Sequence, residues 1–324
     1  MTTKVEDVIV PEQFIPYMLK RTMELSALFT SGLVQAVPDL DIGSRGGSIV
    51  NMPFWIDPND DDQLLDSNTD LVPYGFNTGR DAAVLHGRAL PYAVTDLAAA
   101  LAGDDPFTAV ADILARSWNR RMQRLLIATL TGAMGSGAGD GFNTFDISAL
   151  AGGAAVIDAE SLIDATGVLG DAAGGLSAIA FDSATERYLR KLGLVHDYNL
   201  PDGTSILMYL NKRAIVDDGM PSDDGVHTAV LFGEGAFGYG EGAVKVPLEY
   251  ERSALTGGGT ETIVSRRHFL LHPRGIRWTP GANVPDKDVP SNAEMADPDN
   301  WTAVYEPKAV RMVRFIFRLE EDDG

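Results

Sequence analysis

The chain has 324 residues, 45% of them hydrophobic, enough for a sizeable core and for two domains. A net charge of −20 opposes broad contact with nucleic acid or an anionic membrane surface. There is no cysteine for a disulfide, thiol chemistry or a thiolate metal site, no stretch of eighteen apolar residues, and no basic-then-apolar start in MTTKVEDVIVPEQF, so a cytosolic product with no membrane association is expected.

Residues 1 to about 45 hold one apolar-periodic piece, Pro11–Leu28, then Gly32, Pro38 and a turn-rich stretch, and read as an arm. Two strand-like runs follow, Ser48–Ile56 (SIVNMPFWI) and Ala82–Val94 (AAVLHGRALPYAV), separated by a polar segment. They predict a long hairpin, and because a two-stranded ribbon is marginal alone in water, it must lie on something else, in the same subunit or a neighbour. Its tip carries Asp57, Asp60, Asp61, Asp62, Asp66 and Asp70 without one base.

One long helix is predicted from Asp104 to Gly135. Asp105 suits the N-cap, Pro106 the first helical position, and Gly132 and Gly135 the stop. Phe107, Val110, Ala111, Leu114, Trp118, Met122, Leu125 and Thr129 recur at helical spacing, with Asp112, Arg116, Asn119, Arg120, Gln123 and Arg124 mostly opposite. About 28 residues make a rod of roughly 40 Å, long for a compact domain.

A Gly-rich linker leads into an α/β stretch at about 159–245. Its expected parts are a helix at Ala159–Ala173, a strand at Leu176–Phe181, a helix at Asp182–Leu192 opened by Ser183 with Glu186 in a capping box, and strands at Ser205–Leu210, Ala214–Asp217 and Thr228–Phe232. Further strands are expected at Val244–Arg252, Glu261–Leu271, Gly275–Trp278 and, beyond a Pro- and Asn-containing excursion, Ala309–Leu319.

No catalytic site can be assembled from these residues. Gly233, Gly235 and Gly238 have dinucleotide-loop spacing but lead into a strand, so the helix N-terminus that would hold a pyrophosphate is missing. Asp57, Asn59 and Asp61 imitate the start of a calcium loop that lacks its sixth-position glycine and has Asn68 in place of the final glutamate. His268 and His272 would stand roughly 13 Å apart on a strand. No cofactor, no metal and no enzymatic activity are expected. Conspicuous instead are arginines in an acidic protein: Arg116, Arg120, Arg121 and Arg124 on the helix, Arg266, Arg267, Arg274 and Arg277 in one β segment, and Arg311, Arg314 and Arg318 in the last strand. Opposite charges fix register between subunits, so the Asp57–Asp70 tip or the flanks of its ribbon are expected to lie on arginines of a neighbouring copy.

The order of these parts resembles the major capsid proteins of tailed double-stranded DNA bacteriophages, the Hong Kong 97-like fold. So do VIVPEQFIPYMLKRTMELSALFTSGLV, NMPFW, DLAAALAGDDPFTAVADILARSW, VDDGMP, LFGEGAFGYGEG, RRHFLLHPRGIRW and NAEMADPDNWTAVYE, spread over nearly the whole chain. The resemblance implies an α+β fold: an N-terminal arm (1–45), an extended β-hairpin loop (46–93), a peripheral domain with a long spine helix (94–158 and 246–324) and an α/β axial domain (159–245). It further implies that Asp217, Asp218, Gly219, Met220 and Pro221 belong to an axial loop at the centre of pentamers and hexamers. The homo-oligomer would form an icosahedral shell enclosing DNA without sequence-specific binding, assembled in the host cytoplasm and resident in the virion, with portal, scaffolding and decoration proteins as partners. Some members weld subunits through a lysine on the extended loop. No lysine lies between Lys20 and Lys191 here, so a non-covalent shell is expected. No long charged helical prefix precedes the arm, so no fused scaffolding segment is expected. The alternatives are an encapsulin-like nanocompartment shell and, from the glycine motif, a soluble α/β nucleotide-binding enzyme.

Overall fold

The computed structural model describes residues 33–37, 48–56, 62–63, 71, 73–96, 106–136, 142–199, 205–242, 244–256 and 258–320. The apolar-periodic piece Pro11–Leu28 of the expected arm lies outside the described residues. In chain order the elements are β1 (Val34–Ala36), β2 (Ile49–Ile56), β3 (Asn77–Thr95), α1 (Pro106–Gly135), β4 (Thr144–Asp146), α2 (Ala159–Gly167), β5 (Ala178–Phe181) and α3 (Ser183–Lys191). They continue with β6 (Val195–Asn199), β7 (Ser205–Tyr209), β8 (Lys212–Val216), β9 (Ser222–Asp223), β10 (Val226–Phe232), β11 (Phe237–Gly242), β12 (Leu248–Ser253) and β13 (Thr260–Pro273). Last come β14 (Ile276–Trp278), α4 (Asn292–Ala296), β15 (Trp301–Ala303) and β16 (Met312–Arg318).

The predicted hairpin is present. β2 pairs antiparallel with the first part of β3, from Ile49 opposite Val84 to Ile56 opposite Asn77. β3 starts at Asn77, ahead of the expected Ala82, because Asn77, Thr78 and Arg80 face solvent and tolerate polar side chains that read as turn residues. The rest of β3 leaves β2 and pairs with β13, from Leu85 opposite Leu270 to Thr95 opposite Thr260. A single 19-residue strand therefore belongs to the ribbon and to the sheet behind it, spanning about 60 Å at 3.3 Å per residue. That sheet has the order β1-β11-β13-β3-β2, with β12 also on β13.

The second sheet has the order β4-β16-β10-β5-β8-β7-β6, with β9 on β10. Its alternate residues face opposite layers, as pleating requires. Ala178, Ala180, Val230, Phe232 and Met312 share a core with Leu125, Leu126, Leu130 and Met134 of α1 and with Phe237, Phe269 and Leu271 of the first sheet. Ile179, Phe181, Leu231, Val313, Phe315 and Phe317 point the other way, onto Leu162, Ala165 and Leu189 of α2 and α3. The 30-residue α1, about 45 Å long, starts at Pro106 as its fixed φ suggests. Its second half, LLIATLTGAM, is apolar nearly all round because both sheets cover it.

The sheets cross the boundaries expected from the sequence. β11 lies within 159–245 yet pairs with β13 in the ribbon sheet. β16, expected with the 246–278 strands, pairs with β10 and β4 instead. Its sequence MVRFIFR buries Met312, Val313, Phe315 and Phe317, which only a position covered on both faces satisfies. α3 is capped by Asp182, whose side chain accepts from Thr185 N, so the cap stands one residue before the expected Ser183. The expected Ala159–Ala173 helix ends as α2 at Gly167, followed by a 3-10 turn at Gly170–Gly175, where Gly170 has φ +55°. The excursion before the last strand holds α4, opened by a Ser291/Glu294 capping box, and β15, which pairs with β14. β6, with the polar sequence VHDYN on an exposed edge, carries no strand signal the sequence could offer.

Candidate inter-subunit interface

One face of the ribbon is covered by its own subunit. Val50 and Met52 pack against Ala83, Leu85 and Leu270, and Phe54 meets the ring of Tyr305 edge-on at 4.5 Å between centroids. Gly79 lies directly under the Phe54 ring, where a Cβ would come within 2.3 Å of Phe54 Cζ. The opposite face, with Ile49, Asn51, Pro53 and Trp55, is open to solvent. At its far end Trp55 and Phe76, 72% and 75% exposed, contact each other edge-to-face at 6.4 Å. Of the acidic tip, Asp62 is exposed, while Asp57, Asp60, Asp61, Asp66 and Asp70 lie outside the described residues. The aromatic pair was not foreseen; its signal is the alternation in IVNMPFWI, which puts Trp55 on the uncovered face.

Where ribbon and sheet join, Asp81 is buried and accepts at Oδ1 from Ala82 N (2.8 Å) and at Oδ2 from Gly275 N (3.1 Å), with His272 Nε2 2.9 Å from Oδ1. Burial pushes the Asp81 carboxyl up, but the His272 hydrogen bond and charge and the two backbone N–H groups outweigh it, so its pKa falls below the ordinary carboxylate value. His86, also buried on β3, is pushed down to about 3 by desolvation and by the nearby Arg88 and His272, against a smaller opposing effect of the Leu271 backbone.

On α1, Arg116, Arg121 and Arg124 are exposed, and Arg120 is half-buried with Nη2 donating to Ser117 Oγ at 3.2 Å. Among the described residues none of the four pairs with a carboxylate. Beside them a cleft of about 380 Å³ has Arg88, Arg121 and Arg124 at its rim and Leu90, Trp118 and Phe269 at its floor. Arg88 is held there by Nη2 donating to Pro290 O (2.6 Å) and Asn292 Oδ1 (3.2 Å).

The four arginines of the β segment point in different directions. Arg266 and Arg267 are successive on β13 and therefore point to opposite sides. Arg266 pairs with Glu249 of β12 at 2.7 Å. Arg267 pairs with Glu241, donates to Tyr239 Oη (3.1 Å) and lies 5.8 Å over the Trp118 ring. Both are thus partnered within the subunit, and half-exposed pairs of this kind stabilise by about 0–1 kcal/mol. Arg274 is exposed, and Arg277 is half-buried on β14.

The Asp217–Pro221 turn is anchored rather than free. Met220 is buried with Ile127 and Leu130 of α1, and a Cβ on Gly219 would stand 2.6 Å from Ile127 Cδ1. Asp217 accepts from Gly219 N and Asp218 from Ser183 N, leaving Asp218 and Gly219 at the surface. Gly235 sits in a turn at φ +67°, but Gly238 already lies inside β11, a strand ahead of the one expected from Val244. Among the described residues no helix is long and apolar enough to cross a membrane.

No family model matches the chain. The major capsid protein of Bacillus phage SPP1 is 41% identical over 327 residues, covering 98% of this chain and 99% of that protein. Among solved structures, the fold is similar to the capsid of a native GTA particle (TM-score 0.58, 12% identity, 90% of this chain and 91% of the other). It is also similar to the capsid of Ralstonia phage GP4 (0.57, 12%, 91% and 92%) and to the Cyanophage Pam1 capsid (0.54, 10%, 92% and 93%). At 41% identity over essentially the whole length, the chain belongs to the family of bacteriophage major capsid proteins.

Proposed function

We propose that the chain self-assembles as pentamers and hexamers into an icosahedral shell around double-stranded DNA, by non-covalent contacts and without catalysis. The observation that carries this reading is a mismatch within one molecule. A ribbon with an open apolar face and an acidic tip coexists with arginines on α1 that find no carboxylate among the described residues. Complementary surfaces that a subunit leaves unused are satisfied between copies, and symmetry repeats each modest contact many times.

In this reading residues 1–45 are an arm and 46–93 an extended loop that lies on the next subunit. Residues 94–158 and 246–324 supply the periphery, and 159–245 the domain at the capsomer axis. The Asp217–Pro221 turn is then a rim tied to α1 by Met220. The arginines serve protein contacts ahead of DNA, given the net charge, and DNA is enclosed without sequence readout. Portal, scaffolding and decoration proteins are the further partners of such a shell, which assembles in the host cytoplasm and remains in the virion. The phage relative favours DNA as cargo over the enzyme cargo of a nanocompartment.

The test is charge reversal at the tip. Asp60→Lys, Asp61→Lys and Asp62→Lys together should abolish or misdirect particle formation in negative-stain images; unchanged particles would overturn the ribbon's role.

A further inference from the structure

We infer that the cavity between the end of α1 and the second sheet is a binding site for a compact monocarboxylate, an acid of benzoate's size, recognised by Arg314. The inference goes beyond the shell reading and does not depend on how copies assemble.

Strand register puts Arg314 there. It lies directly opposite Val230 in the β10–β16 pair, so both side chains leave the same face of the sheet. Val230 belongs to the core that holds Leu130 and Met134 of α1, and a Cβ on Gly135 would stand 3.5 Å from Arg314 Nη1. The guanidinium is therefore beside the last turn of that helix. Next to it is a cavity of about 170 Å³ walled by Leu130, Met134, Met220 and Val230, with Thr228 adding a hydroxyl.

The charge at this cavity is unmatched. Arg314 Nε is fully buried and finds no hydrogen-bond partner among the described residues. The side chain forms no ion pair with any carboxylate among them. Burial lowers the guanidinium pKa, against a smaller opposing effect of Asp146, but an arginine stays charged at neutral pH. The negative end of α1, whose last turn has no basic residue, explains a cation near Gly135. It leaves the buried Nε without an acceptor.

One kind of ligand answers both the arginine and the walls. A carboxylate offers two oxygens in the fork geometry that a guanidinium matches. An apolar cavity of about 150 Å³ holds a benzene ring, so this one has room for a six-carbon body and none for a nucleotide. Inorganic phosphate would pair with the arginine but leave the four apolar walls without contact, and a neutral apolar solute would leave Nε unpaired.

The test titrates benzoate into the full-length chain carrying ¹³C-methyl methionine, with benzamide as the uncharged isostere. The Met134 and Met220 signals, assigned through Met134→Leu and Met220→Leu, should shift saturably under the ring current. Met122, which lines the other arginine-rimmed cleft, should not shift. Benzamide should bind about tenfold or more weakly than benzoate, a comparison that needs no substitution, and Arg314→Gln should weaken benzoate by a similar factor. Arg314→Lys keeps the charge without the fork and should also weaken it. Equal binding of benzamide, shifts at Met122 instead of Met134 and Met220, or no saturable shift at millimolar benzoate overturns the inference. So does binding that appears only in Asp140→Asn, which would put this chain's own acid on the arginine; position 140 lies outside the described residues. Failure of the chain to form particles would sink the shell reading and leave each of these outcomes as it stands.

Discussion

His272 Nε2 stands 2.9 Å from Asp81 Oδ1 where β3 passes from the ribbon into the sheet, and both side chains are buried. A carboxylate can only accept, so Nε2 carries the proton, and Asp81 at once ties β3 to β13 and to the turn at Gly275. The pair fixes the base from which the ribbon projects.

Removing that carboxylate leaves a buried imidazole and a buried N–H without their acceptor. Asp81→Ala should therefore destabilise the subunit by about 2–4 kcal/mol, and Asp81→Asn, which keeps one acceptor oxygen, by less. Urea unfolding of the unassembled subunit measures both.

His86 makes the same region sensitive to mild acid. Its folded pKa of about 3 is below the ordinary 6.5, so the unfolded chain takes up the proton more readily. Stability is present above pH 6.5 and is lost as pH falls from 6.5 toward 3, by about 2 kcal/mol at pH 5. Asp81, whose pKa is also lowered, adds its loss only below the ordinary carboxylate value near 3.8. His86→Leu should flatten the pH 7 to pH 5 decline in the unfolding midpoint, and an unchanged decline would show that another group controls it.

Gly132 sits on α1 where a Cβ would come within 2.1 Å of Met295 O and 2.7 Å of Trp301 Nε1, atoms that are themselves hydrogen-bonded at 2.9 Å. Alanine gains about 1 kcal/mol of helix propensity over glycine, yet overpacking costs about 1–3 kcal/mol here. Gly132→Ala should lower stability in thermal melts despite its better propensity.

The parts legible in the sequence were those set by local pattern: the hairpin from alternation in SIVNMPFWI and the start of α1 from Pro106. Tertiary choices were not legible. MVRFIFR announces a buried strand but not its neighbour, so β16 joined β10 rather than the strands nearest in sequence. Arg266 and Arg267 looked like free charge until Glu249 and Glu241 were brought beside them by β12 and β11. The arginines of α1 were identified, but their cleft depends on Leu90 and Phe269 from two other strands.

The ribbon offers no lysine, since none lies between Lys20 and Lys191. Particles boiled in denaturant should run as one band at the 34.7 kDa of the chain. A ladder of multiples would show covalent linkage from another source.

The most direct measurement is a cryo-electron microscopy map of particles assembled from this chain. The map should show a closed shell of fivefold and sixfold capsomers, with the ribbon of each subunit lying across the neighbour. Small discrete oligomers, or a shell in which the ribbon touches only its own subunit, would contradict that arrangement.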